Sequence, residues 1–332
     1  MAVEPIDPFS DSRVTHETAK VNGYTYHYIL GVPQNGQYKA TIFLVSALLS
    51  SAIPFLISLG LRVVAPDLMG FGGTDAPKVP PNSIHLYGYK RAADDIAELA
   101  KQLGCKQIIL GGHDWGGMVV WRTALWHPEL ISHVFSICTP YMAPQKDYIS
   151  TEQLVKGPLP QFAYQLQLAG PDVEAALQSE EDIRMFFNAM SGGRGPNGEV
   201  GFSPERGVHL DDLKKLKRGP LLDEKVYEYY VQQYSRNGLH GTLNWYRTRE
   251  ANYKDDLDLP TDKIEMPALF IQANYDSVLK PSMAAGMNKH FTQLTRADVD
   301  AQHFCQVTHP DKINAILKDW LDGVVFGGKS TL

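Results

Sequence analysis

Short uncharged runs alternate with longer stretches in which apolar residues recur every three or four positions. Arg13 to Val21 and Tyr24 to Leu30 flank Asn22-Gly23, the pairing that favours a tight hairpin, so two antiparallel strands are expected first. Ala40 to Leu61 carries no charge over 22 residues. That length would suit a membrane span, but the β-branched and aromatic run Ile42 to Val45, Pro54, and the second strand-like run Leu61 to Ala65 divide it into strand, helix and strand.

From Tyr87 to Leu103, the residues Ala92, Ala93, Ile96, Leu99, Ala100 and Leu103 mark one face of a helix that Gly104 stops. A buried strand over Gln107 to Leu110, a helix over Met118 to Trp126 and a strand over Ile131 to Ile137 follow. This alternation implies an α/β architecture with a mostly parallel central sheet and helices on both faces.

The rhythm breaks at about Ala143 and resumes with strands at Ala268 to Gln272 and Leu294 to Val299 and a helix at Ile313 to Leu321. The expected anatomy is a sheet domain in two parts, residues 1–142 and 255–332, with a helical cap, 143–254, between them. The glycine-rich stretch Ser191 to Gly207 lacks the G-K-[ST] of a phosphate cradle and reads as a cap loop.

Composition narrows the function. Apolar residues make up 44% of the 332 and charged residues 20%, with a formal charge of -6, so a core is affordable and a nucleic-acid partner is disfavoured. Cys105, Cys138 and Cys305 stand far apart along the chain, which argues against a disulfide scaffold or structural zinc and for a reducing compartment. The acidic, proline-bearing start does not read as a signal peptide, so a cytoplasmic location is expected. The terminal Lys329-Ser330-Thr331-Leu332 shares only its leucine with a peroxisomal tripeptide.

Candidate chemistry centres on Gly112-His113-Asp114-Trp115-Gly116, between a buried strand and a helix, where a nucleophile elbow would sit. The bland reading makes Asp114 an N-cap. The sharper one makes it a nucleophile that is ionised at neutral pH and can attack alkyl carbon without a base. The resulting ester needs activated water, and hence an acid and a histidine further along the chain. Asp276 and His303 each follow a predicted strand in that order.

With these residues in view, GGHDWGG, the loop Asp67-Leu68-Met69-Gly70-Phe71-Gly72-Gly73-Thr74-Asp75, Asp276 and His303 resemble the epoxide hydrolases of the α/β-hydrolase fold. Two further segments, Phe162-Ala163-Tyr164-Gln165-Leu166 and Leu243-Asn244-Trp245-Tyr246-Arg247, resemble those in which that family carries paired tyrosines. The resemblance implies Asp114, Asp276 and His303 as the catalytic triad, Tyr164 and Tyr246 as proton donors worth ~10² to 10⁴ in rate, and the Trp115 N–H as an oxyanion donor. It implies a small apolar epoxide and water as partners and no cofactor or metal. Tyr227, Tyr229, Tyr230 and Tyr253, and His127, His209, His240 and His309, are read as packing or surface residues, and His113 as support beneath the elbow.

The resemblance breaks in one place. The family has H-G-x-P after the strand corresponding to Ile42 to Val45, whereas here Val45 runs into Ser46-Ala47-Leu48-Leu49-Ser50-Ser51-Ala52. Loss of that oxyanion donor implies impaired ester release. Phe304 also stands where the family commonly has tryptophan. Haloalkane dehalogenation, distinguished by halide release, and a non-catalytic ligand-binding role, distinguished by affinity without a covalent step, are the competing functions. Oligomeric state is left open.

Overall fold

The computed structural model describes residues 4–45 and 51–327. Ten strands are present among them: β1 (Val14–Val21), β2 (Tyr24–Gly31), β3 (Ala40–Val45), β4 (Leu61–Pro66), β5 (Ile108–His113), β6 (Ile131–Ile137), β7 (Phe202–Ser203), β8 (Gly207–Val208), β9 (Ala268–Ala273) and β10 (Leu294–Val299). The helices most relevant to the site are α1 (Ala52–Ser58), α2 (Tyr89–Gln102) and α3 (Trp115–Trp126).

Eight strands form one sheet in the order β1-β2-β4-β3-β5-β6-β9-β10. The first hairpin turns through Asn22 at φ 46° and Gly23 at φ 92°, the left-handed pair a tight two-residue turn requires. β2 pairs antiparallel with β4, and every pairing from β4 to β10 is parallel. Strands covered on both faces should be apolar throughout, and Ile42 to Val45 and Ile108 to Leu110 are buried without interruption. The uncharged run divides into β3, α1 and β4. Among the described residues, no helix is long and apolar enough to cross a membrane.

The chain leaves β3 toward β4 on one side and later continues through β5, β6, β9 and β10 on the other. Such a reversal opens a crevice beyond the carboxyl ends of the central strands, where α/β folds place their chemistry. Asp114 lies there, immediately after β5. Helix α3 behind it is buried on every side from Gly116 to Leu125.

Two compact units emerge. The sheet unit comprises Met1–Asp67, Tyr89–Pro144 and Asp256–Leu332, and the second comprises Leu68–Gly88 and Gln145–Asp255. Within the sheet unit, Arg122 of the buried α3 donates from Nε and Nη2 to the Asp256 carboxylate at 2.9 to 3.0 Å, giving an otherwise costly buried cation its counter-charge.

The second unit is helical except for the short β7–β8 pair, and the glycine-rich stretch before it is closed by an Arg194–Val200 bridge. Leu68–Gly88 packs within this unit through a close backbone approach. A Cβ on Gly70 would lie 2.7 Å from the Gly241 carbonyl carbon, and the Trp245 indole donates to the Met69 carbonyl at 3.0 Å.

Candidate active site

Asp114 adopts φ 54°, ψ -123°, a strained conformation for any residue with a side chain, and makes no side-chain capping bond to α3. It is therefore not an ordinary N-cap. Its flanking glycines allow the bend. A Cβ on Gly116 would sit 1.6 Å from the Val45 carbonyl oxygen, and one on Gly112 would sit 2.3 Å from the Gly116 oxygen. The G-x-D-x-G spacing thus lets the turn lie against the ends of β3 and α3 without overlap. Thr139, just beyond β6, donates its hydroxyl to the Asp114 carbonyl at 2.8 Å.

Loops after two more strands supply the partners. His303 Nε2 lies 3.4 Å from an Asp114 carboxylate oxygen, and its Nδ1 lies 2.7 Å from Asp276. The other Asp276 oxygen accepts the backbone N–H groups of Val278 and Leu279 at 2.8 and 2.9 Å, so the carboxylate is buried yet hydrogen-bonded on both sides. Backbone bonds from Asn274 to Val299 and from Tyr275 to Ala301 tie the Asp276 loop to the His303 loop.

The electrostatics follow from one cation between two anions. Burial pushes the Asp114 carboxyl up, but the His303 hydrogen bond and charge, with the Trp115 N–H, reverse this and hold it at about 2. For His303, burial opposes the charged form, yet bonds to Asp114 and Asp276 raise the imidazole to about 10. Asp276 is held below the usual carboxylate range, its desolvation outweighed by His303. The resting site is therefore carboxylate, imidazolium, carboxylate.

His113, directly before Asp114, lies 2.9 Å through Nε2 from the His303 carbonyl, and the Gln306 amide lies 3.2 Å from its Nδ1. Desolvation, with the nearby His303 charge, lowers its pKa to about 4, so it stays neutral and donates from Nε2. Donor atoms of His113, Cys138 and His303 lie within 4.8 Å of one another, the arrangement closest to a metal site among the described residues. Each of the three residues is already hydrogen-bonded there.

The two tyrosines sit together in the helical unit. Tyr164 lies on the helix Ala163–Ala169 and Tyr246 on the 3₁₀ turn Trp245–Arg247, with ring centroids 6.0 Å apart in an edge-on arrangement. Arg247 explains their pairing: its guanidinium donates to the carbonyls of Ala169 and Gly170 at the end of the Tyr164 helix, at 2.9 and 3.2 Å, and to Glu174 at 2.8 Å. Glu174 also accepts from His240, whose other ring nitrogen accepts the Val79 N–H. His240, expected to be a packing or surface residue, thus links three segments of this unit.

A family model described as the alpha/beta hydrolase fold matches residues 31–310. Epoxide hydrolase srdG of Neurospora crassa is 35% identical over 343 residues, spanning 96% of this chain and 98% of that one. The chain belongs to the epoxide hydrolases of the α/β-hydrolase fold. The bifunctional epoxide hydrolase 2 of Mus musculus is 33% identical over 81% of this chain and 48% of its own length. Among solved structures, epoxide hydrolase A from Mycobacterium thermoresistibile has a TM-score of 0.77 over 93% of this chain and 98% of that one, at 24% identity, a likeness of fold.

In this epoxide hydrolase the sequence assigns no site role to Thr139 or Cys138, because neither carries a motif and both reach the site from the loop after β6. The segment that lacks H-G-x-P, Ser46 to Ser50, lies outside the described residues.

Proposed function

We propose that the protein hydrolyses a small apolar epoxide to a vicinal diol through an ester on Asp114. The Asp114 carboxylate attacks a ring carbon, the carbon–oxygen bond breaks, and Tyr164 or Tyr246 gives its phenolic proton to the departing oxygen. Once the ester has formed, the proton leaving His303 restores the tyrosine phenol by way of solvent; water then loses a proton to the neutral His303 Nε2 and attacks the ester carbonyl. The Trp115 N–H stabilises the oxyanion, and collapse releases the diol and the free carboxylate.

The observation that carries this reading is the Asp114–His303–Asp276 array. In the resting site His303 holds a proton tightly and is no base, while Asp114 is fully ionised and ready to attack. Esterification removes the Asp114 charge, one of the two that raise His303, so the imidazole becomes easier to deprotonate only once there is an ester to hydrolyse. Asp276 then stabilises the imidazolium that forms.

Without the H-G-x-P turn, Trp115 is the single backbone oxyanion donor assigned to this site. Ester release is slower by roughly 10² to 10³, since that is the cost of removing one such donor. Ring opening builds no tetrahedral oxyanion and is spared.

The test is intact-mass measurement during reaction with a styrene oxide or an aliphatic terminal epoxide. An adduct of epoxide mass should accumulate on the wild type, be absent in Asp114→Ala, and decay to diol. Diol formation by Asp114→Ala at the wild-type rate would overturn the mechanism, and fast turnover without an adduct would overturn slow release.

A further inference from the structure

Cys138 and Cys305 are both buried, and their sulfurs lie 3.7 Å apart although 167 positions separate them. Cys138 follows β6 at φ 65°, a left-handed conformation that residues with a Cβ seldom adopt. Its thiol also donates to the His303 carbonyl at 3.2 Å. Cys305 is two residues beyond His303. The pair therefore joins the loop after β6 to the loop carrying the histidine, at that histidine.

We propose that Cys138 and Cys305 form a peroxide-modifiable dithiol whose oxidation to a disulfide displaces His303. One thiolate attacks a peroxide oxygen, the O–O bond breaks, and with hydrogen peroxide water leaves as the sulfur becomes a sulfenic acid. The second sulfur then attacks that sulfur, expelling a second water and forming the S–S bond. Two thiols are oxidised and one peroxide is reduced to two waters.

A disulfide requires the sulfurs to approach to about 2.0 Å, so some 1.7 Å of movement must be absorbed by the two loops. The Cys138 thiol ceases to donate to the His303 carbonyl, and the shift of Cys305 is passed to a residue two positions away. Asp114 sits on a third loop whose glycines pack against the ends of β3 and α3. Oxidation should therefore slow ester release, the step assigned to His303, more than ester formation.

The bond itself is independent of the proposed function; only its kinetic effect rests on that reading. The experiment treats the full-length protein with hydrogen peroxide, maps its peptides without reduction, and follows single-turnover adduct formation and decay before and after dithiothreitol. The expected result is a peptide pair linked through Cys138 and Cys305, with ester decay roughly a hundredfold slower and restored by reduction. Cys138→Ser should lose both the link and the peroxide sensitivity.

The half-exposed Cys105 serves as an internal control in the wild type. Its oxidation while Cys138 and Cys305 remain separate thiols overturns the proposal, whether or not the variant folds. A linked pair with unchanged ester decay overturns the displacement of His303. Failure of any epoxide to alkylate Asp114 would count against the proposed function and leave the peptide map to decide the disulfide.

Discussion

The Asp114 loop and the paired tyrosines are held in place by different physics. At Asp114 the constraint is steric: two glycines accept backbone approaches that no side chain could tolerate, and the strained φ is maintained by packing against β3 and α3. At Tyr164 and Tyr246 the constraint is a polar network, with Arg247 and Glu174 joining a helix end to a short turn. The first arrangement has almost no conservative substitutions. The second should weaken by degrees. Under the proposed mechanism, a carboxylate presenting one oxygen to a carbon benefits from rigidity, while a phenol donating a proton can accept a wider range of positions.

The sharpest way to break this contrast is Gly116→Ala. Its methyl would overlap the Val45 carbonyl, so a loss of at least ~3 kcal/mol, or failure to accumulate folded protein, is expected in denaturant titration. A loss under about 1 kcal/mol would show that the elbow can shift after all.

Next in size is His303→Gln. Ester formation should continue while decay falls by roughly 10² to 10⁴, trapping the adduct for mass measurement. In the same variant Asp114 loses the His303 bond and charge, the chief influences that hold it at about 2, and keeps only the weaker help of His113 and the Trp115 N–H against burial, so the acid limb of adduct formation should move to higher pH. An unmoved acid limb would show that His303 does not set the nucleophile's ionisation.

The tyrosines come third. Tyr164→Phe and Tyr246→Phe should each slow adduct formation, the double variant by roughly 10² or more, without changing ester decay. Equal effects on both phases would mean a packing defect rather than a lost proton donor. Arg247→Ala should cost about 1 to 2 kcal/mol of stability and slow adduct formation less than the double tyrosine variant.

The smallest effect is the pH dependence of stability. Asp114 and Asp276 are depressed, so their contribution is present above the unfolded value near 3.8 and is lost as pH falls, for Asp114 through about 2. His303 is raised, so its contribution is complete below about 6.5 and is lost as pH rises through about 10. Unfolding midpoints should form a plateau between about pH 4 and 6.5, and His303→Gln should flatten both shoulders. A variant with unchanged shoulders would place the titrating groups elsewhere.

Much of the sheet was legible because strands covered on both faces must be apolar, and Ile42 to Val45, Ile108 to Leu110 and Ala268 to Ile271 announce themselves. The elbow was legible because its glycines sit at fixed offsets from Asp114. Asp276 and His303 were legible by order and strand end, and the tyrosines only through resemblance, since nothing local separates Tyr164 from Tyr227. Helix α3 begins at Trp115 rather than at the expected Met118, as Gly116 and Gly117 mask the helical period.

By itself, then, the order of residues determined the alternating elements and the aspartate at a bend, because local sterics and side-chain periodicity act over a few neighbouring positions. Only the tertiary structure decided that His113, Cys138 and Gln306 surround the His303 loop, that Thr139 holds the Asp114 carbonyl, and that two cysteines 167 positions apart lie 3.7 Å from each other. Those contacts depend on which strands become neighbours. Strand order is set by burial of the whole sheet, so no short stretch of sequence carries it.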